Sequence, residues 1–179
     1  MSDGFEDNGM GLLLPKPQIL VKGFYEAEII RGGETIDKFS FENTVVNEGL
    51  NSLLNVYLNG STPNASWYLG LFTGNYTPVA TDTGATIAGN ATESNAYTAS
   101  TRPQWTPSAA SGQSITNSGS RAAFTFNASA TIYGAFLIAN ATIGGTTGPL
   151  FSAARFGTSK AVVAADELLL TYTFTAASS

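Results

Sequence analysis

The chain has no cysteine and no histidine, and between Gly49 and Ala165 it carries only two carboxylates, Asp82 and Glu93. Without cysteine there is no disulfide framework, no thiolate zinc site and no thiol nucleophile. Without histidine it lacks the side chain that titrates near neutrality and the commonest metal ligand. Charged residues make up 12% of the 179, about half the usual ~25%, so neutral Ser, Thr and Asn side chains must cover the outside. These shortages make binding or scaffolding the expectation, with no catalytic residues, no cofactor and no metal site.

Positive charge is also scarce. The stretch from Gly49 to Ala165 holds four cations, Arg102, Arg121, Arg155 and Lys160, far apart in sequence, and the whole chain is net −5. Phosphate backbones and anionic membranes need clustered Lys and Arg, so neither nucleic acid nor membrane is an expected partner. Long apolar runs are missing too. The longest, Tyr133 to Ala139, contains Gly134 and falls far short of the ~20 residues of a spanning helix. Leu12-Leu13-Leu14 is too short and wrongly flanked for a signal peptide. The reading is a soluble chain made in a cytoplasm.

What is present is mainly β. Residues 1–18 form an extended N-terminal arm, acidic and Gly-containing at first, then Gly11-Leu12-Leu13-Leu14-Pro15-Lys16-Pro17, whose prolines deny a helix and favour polyproline conformation. Residues 19–179 form one domain. Period-two alternation from Ile19, reversed at Gly32-Gly33, gives a hairpin over 19–45, with Gly23 marking a bulge. One amphipathic helix follows over 47–58, capped by Asn47, stopped by Asn59-Gly60 and burying Leu50, Leu53, Leu54, Tyr57 and Leu58.

Short strands then run from 67 to 176: Trp67–Thr73, Tyr97–Trp105 broken at Pro103, Gln113–Asn117, Arg121–Asn127, Thr131–Asn140, Pro149–Phe156, Lys160–Ala164 and Glu167–Ala176. Eight strands without intervening helices predict an antiparallel β-sandwich or jelly-roll-like body. The nearly chargeless stretch Gly74–Asn95 reads as a partner-facing or mobile loop.

Few constellations carry chemistry. Asp82 and Glu93 are the only internal candidates for a glycosidase-like pair, but both lie in that one loop and read as solvated acids. Asp82-Thr83-Gly84 lacks the second copy that an aspartic protease needs, and Asp166-Glu167 is a turn. Gly144, Gly145 and Gly148 lack the Lys and helix of a phosphate loop and mark a hairpin. Trp105, between Pro103 and Pro107, reads as exposed and, with Tyr97, could stack on a sugar.

The arm has its own arithmetic. Burying Leu12, Leu13, Leu14 and Ile19 gives roughly 6–12 kcal/mol, against roughly 15–30 kcal/mol for ordering some fifteen backbone residues. Alone it stays disordered, and a partner must supply burial and main-chain hydrogen bonds, so these four residues are the candidate partner-binding set.

A set of motifs resembles a family of tailed-bacteriophage virion structural proteins, the kind that decorate or cement the capsid. It consists of Asn43-Thr44-Val45-Val46-Asn47-Glu48-Gly49-Leu50-Asn51-Ser52-Leu53-Leu54, Trp67-Tyr68-Leu69-Gly70-Leu71-Phe72, Tyr76-Thr77-Pro78-Val79-Ala80-Thr81-Asp82-Thr83, Arg102-Pro103-Gln104-Trp105, Thr131-Ile132-Tyr133-Gly134-Ala135-Phe136-Leu137 and Leu150-Phe151-Ser152-Ala153-Ala154-Arg155-Phe156. The resemblance spans about residue 20 to the C-terminus and implies a noncatalytic virion component with a jelly-roll-like body, assembled in the bacterial cytoplasm. Its partners would be the major capsid protein and further copies of itself. The alternatives are a tail or fibre module holding a host-surface glycan on Tyr97 and Trp105, and a virion-associated depolymerase using Asp82 and Glu93.

Overall fold

The computed structural model describes residues 5–7, 13–15 and 19–178. In the arm, β1 (Phe5–Asp7) pairs antiparallel with β2 (Leu13–Pro15), placing Glu6 opposite Leu14. Leu12 and the rest of the arm lie outside the described residues.

The body is a β-sandwich of two antiparallel sheets. In the first, β3 (Ile19–Arg31) lies between β4 (Glu34–Glu42) and β12 (Glu167–Ser178), whose far edge is shared by β8 (Ser114–Thr116) and β9 (Ala122–Thr125). The β3–β4 turn puts Gly32 at φ +59° and Gly33 at φ +87°, left-handed at both positions as a tight hairpin requires. Alternation works as read: Tyr25, Ala27 and Ile29 are buried, as are Leu168, Leu170, Tyr172 and Phe174 opposite them. The C-terminal strand stays paired to its end, with Ser178 opposite Ile19.

The second sheet runs β5 (Thr44–Val45), β11 (Leu150–Val162), β10 (Ala130–Ile138), β6 (Trp67–Phe72), β7 (Gln104–Trp105). Leu69, Leu71, Ala135, Leu137, Ala154 and Phe156 meet the first sheet in the main core. The opposite face is not wet. Phe72, Phe136, Ile138, Leu150 and Ala153 form a second core with Val46, Ile87 and Ala91, so the 73–95 segment, with its short α2 (Ile87–Asn90), covers this sheet as a third layer.

Several expectations change. Gly23 is not a bulge, because β3 stays in register with β12 through Gly23 opposite Phe174. Its missing side chain instead admits the Tyr172 hydroxyl, which a Cβ there would meet at 2.4 Å. The two segments 149–156 and 160–164 are one strand: β10 and β11 pair Gly134 with Arg155 and Ile132 with Lys160, leaving the surplus on β11 as a bulge. Tyr97–Trp105 is not a strand for most of its length. Tyr97 makes one bridge to Phe126, Thr98 gives its N–H to the Thr125 carbonyl, Pro103 accepts the Leu69 N–H and Arg102 bonds the Ala141 carbonyl, so its backbone bonds are scattered over several segments rather than forming one ladder.

The helix α1 (Asn47–Leu58) has the expected bounds but a different rotation. Val46 occupies the N-cap position, with no side-chain cap, and the Asn47 N–H bonds the Ala80 carbonyl, so Asn47 does not cap. One Glu48 carboxylate oxygen accepts the backbone N–H groups of Gly84 and Leu150, each at 2.7 Å. Gly49 lies against β11, where a Cβ would meet the Phe151 carbonyl at 2.5 Å. These two contacts turn Val46, Gly49, Leu53 and Val56 toward the body. Leu54, Tyr57 and Leu58, expected inside, are 51%, 82% and 81% exposed.

Candidate interaction site

At the end of the sandwich where β3 begins and β12 ends, α1 and the 61–66 connection lie over an apolar cavity of about 320 Å³. Trp67 opens β6, Trp105 ends β7, Phe151 is the second residue of β11, and Tyr172 and Phe174 sit on β12. Aromatic rings make up much of its wall beside the aliphatic Leu53, Val56, Ile115 and Leu137. Phe151 is the hub. It meets Trp67 edge-on at 5.4 Å and Phe174 at 5.1 Å, while Trp105 meets Tyr172 at 5.9 Å.

Hydrogen bonds hold these rings in place. The Trp105 indole N–H donates to the Tyr172 carbonyl at 3.1 Å, and the Asn43 amide donates to the Tyr172 hydroxyl at 3.1 Å. Tyr25, its ring tilted against Tyr172 in the core, shares a 2.9 Å hydrogen bond with the Ser152 hydroxyl. Burial pushes the Tyr172 phenol up to about 12 and Tyr25 well above its ordinary value, so both stay neutral. No residue lining the cavity is charged. On its solvent side Tyr57 continues onto the exposed helix stripe of Leu54 and Leu58.

A second, wider depression of about 650 Å³ lies on the outer face of the first sheet, among Glu26, Glu28, Lys38, Ser40, Arg121 and Thr171. Its charges answer one another: Glu28 pairs with both Arg121 and Lys38. Hydrogen bonds from Thr35 and Arg121 hold the Glu28 carboxyl at about 2, well below the usual range. A groove already neutralised internally offers less to a charged ligand than the apolar cavity offers to an apolar one.

The acids expected in solvent are structural. Glu93 and Arg102 form a fully buried bidentate pair, Nε to Oε1 and Nη2 to Oε2, both 2.7 Å. Arg102 also donates to the carbonyls of Asn140 and Gly145, and Glu93 accepts the Gly144 N–H, so the pair shapes the 140–148 hairpin loop. Asp82 is buried, accepting the Tyr76 hydroxyl at 2.7 Å and the Val79 N–H at 2.9 Å. The Tyr76 phenol is raised by that bond. Asp166 closes its turn through the Val163 N–H and pairs with Arg31, which lowers its pKa.

The aromatic pair proposed for sugar stacking does not form a platform. Tyr97 is 3% and Trp105 8% exposed, and stacking needs an open ring face. Tyr97 packs edge-on against Phe124, and Trp105 is bound into the cavity wall. Of the arm set, Ile19 is 77% exposed at the start of β3, Leu13 and Leu14 lie on β2, and Leu12 is outside the described residues. The convergence of Phe151, Tyr172 and Phe174 with both tryptophans was missed from sequence; the available signal was large aromatics at strand ends beside one helix. Among the described residues no group of three or more acidic, His or Cys side chains could hold a metal, and no helix is long and apolar enough to cross a membrane. No protein-family model matches the chain, and no curated protein matches its sequence.

Proposed function

We propose that the chain is a noncatalytic structural protein of a tailed-bacteriophage virion, decorating and cementing the capsid shell by binding the major capsid protein lattice and further copies of itself. The observation that carries this reading is the uncharged apolar surface formed by Leu54, Tyr57 and Leu58 beside the aromatic cavity. Contiguous exposed apolar surface on a soluble domain marks a contact site. The family resemblance of the motifs supplies the particle. The body's acids support a scaffolding role, since Asp82, Glu93 and Asp166 are each engaged in holding a loop or turn. On a shell, modest single contacts suffice because a lattice multiplies them through effective concentration.

The test compares particles assembled with the full chain, with a chain lacking residues 1–18, and with a Leu58→Asp chain. Both variants are expected to keep the thermal transition of the body, because Leu58 is 81% exposed and the described core is built from body residues, and to show sharply reduced copy number on the capsid. Normal occupancy by both, or labelling confined to the tail tip, overturns the reading.

A further inference from the structure

We propose that the aromatic cavity is the seat for the apolar run Leu12-Leu13-Leu14 from the arm of a second copy, so that copies of this chain join by exchanging arms. This takes the arm from the reading above but does not depend on the particle.

Three observations converge. The first is chemical. The cavity wall carries no charge, and its volume of about 320 Å³ lies at the small end of the ~300–1,000 Å³ typical of ligand sites. That suits a few aliphatic side chains. Gly11-Leu12-Leu13-Leu14-Pro15 is likewise uncharged and carries three consecutive leucines ahead of β3 in sequence.

The second concerns what the arm already has. The β1–β2 pairing sets Leu13 opposite Asp7 and Leu14 opposite Glu6, but a two-stranded ribbon is at best marginal by itself in water, so burial against a further apolar surface would stabilise it.

The third is reach. Ile19 lies opposite Ser178, and Gly23 opposite the cavity residue Phe174, so the arm leaves from the cavity's end of the sandwich, about 13 Å beyond the cavity's level at ~3.3 Å per residue. Leu14 is five residues further on. Pro15 and Pro17 each fix φ and favour extended backbone over a tight reversal between Leu14 and Ile19. Returning to its own cavity would need a reversal within Pro15–Gln18, half of which is proline. The cavity of a neighbour presents no such difficulty. An arm from one copy seated in the next is a heterologous contact, which closes into a ring or extends as a chain, and that is how a shell of such copies would be tied together.

The two tryptophans of the chain, Trp67 and Trp105, both line this cavity, so intrinsic fluorescence reports its occupancy. In the full-length protein, emission should shift to shorter wavelength as concentration rises, in step with association seen by sedimentation. Leu13→Asp should abolish both, because an unpaired charge is costly to bury there. Tyr57→Arg blocks the mouth at a position 82% exposed, which the fold does not need. Each variant alone should be monomeric, and an equimolar mixture should form one-to-one pairs, one partner supplying the arm and the other the cavity.

Wild-type protein that stays monomeric with unshifted emission overturns the proposal. So does a shift independent of concentration, which would place a chain's arm in its own cavity. Wild-type association without pairing in the mixture overturns it as well, assigning the contact to another surface. Arm exchange in solution with no copies on particles would leave this proposal standing and remove the capsid reading.

Discussion

The two sheets of the sandwich solve opposite problems with their outer faces. The first sheet turns Lys22, Glu26 and Glu28 on β3 and Lys38 and Ser40 on β4 outward, and its charges pair across strands. The second sheet turns Phe72, Phe136 and Ile138 outward and needs a further layer to cover them. That layer is the 73–95 segment, which has almost no regular structure. Irregular chain over an apolar face must satisfy its own backbone, and here acids help: Asp82 takes the Val79 N–H and Glu48 the Gly84 N–H, while Glu93 ties the segment to the 140–148 loop through the Gly144 N–H. Charge on the first sheet is solvated surface; on the second it is internal scaffolding.

The sharpest break in this comparison is Arg102→Met. It leaves the Glu93 carboxylate buried without its partner and should cost about 3–5 kcal/mol in urea unfolding. Adding Glu93→Leu should restore part of that loss by removing the stranded charge. It should not restore all of it, because the carbonyls of Asn140 and Gly145 lose their donors. Equal stability of wild type and Arg102→Met would mean that the third layer does not depend on its ion pair.

Next in size is Gly134→Ala. Phe72 lies over Gly134 on the outer face of the second sheet as Phe136 lies over Gly70, each ring filling the space of a missing side chain across the strand pair. A Cβ at Gly134 would stand 2.1 Å from Phe72 Cζ and 2.2 Å from the Ala154 carbonyl oxygen. The ring can move, but the backbone cannot do so cheaply, so about 1–3 kcal/mol of overpacking cost is expected. Gly157→Ala is the control, with nothing within 4 Å of its added Cβ. A Gly134 variant as stable as the Gly157 variant would refute the close packing of that face.

The same difference explains what could be read from sequence. The first sheet was legible because one wet face imposes strict alternation: Tyr25, Ala27, Ile29 and Leu168, Leu170, Tyr172 were all placed correctly. The second sheet was recognised as strands, since Ala135-Phe136-Leu137-Ile138 is an apolar run bounded by turn residues. What covers its outer face was not, because the 73–95 segment has a loop's composition and only Ile87 and Ala91 betray its burial. The ion pair was hidden because Glu93 and Arg102 meet through tertiary folding, with no periodic signal. The cavity was hidden for a related reason: its walls come from seven separate elements and two connecting loops, and Trp105 between prolines has an exposed residue's local context but a core residue's surroundings.

On the first sheet the corresponding test is pH. Glu28 has its folded pKa depressed from 4.5 to about 2 by bonds from Thr35 and Arg121. The folded state therefore binds the proton less readily than the unfolded chain, and the contribution is complete above about 4.5 and is lost as pH falls toward 2. Glu28→Gln should flatten the stability profile across that window by lowering stability above it, and only modestly, because water screens this exposed network. The effect should be smaller than either change on the second sheet. An unchanged acid slope in Glu28→Gln would assign the acid sensitivity to other groups, with Asp166, whose pKa Arg31 also lowers, the next to examine.

The smallest effect separates two neighbouring leucines of α1. The apolar residues of this helix occupy an arc wider than one face, and sequence spacing cannot say which half of the arc meets the body. The Glu48 clamp and the Gly49 contact select the half containing Leu53 and Val56. Leu54, 51% exposed, lies on the other half, so Leu54→Ala should stay within about 0.5 kcal/mol of wild type in thermal or urea unfolding, as surface substitutions usually do. Leu53→Ala removes part of the cavity wall and should cost clearly more, toward the lower end of the ~2–5 kcal/mol range for truncating a leucine inside. Equal losses at the two positions would rotate the helix from where the structure places it. They would also remove the exposed stripe on which the proposed contact depends.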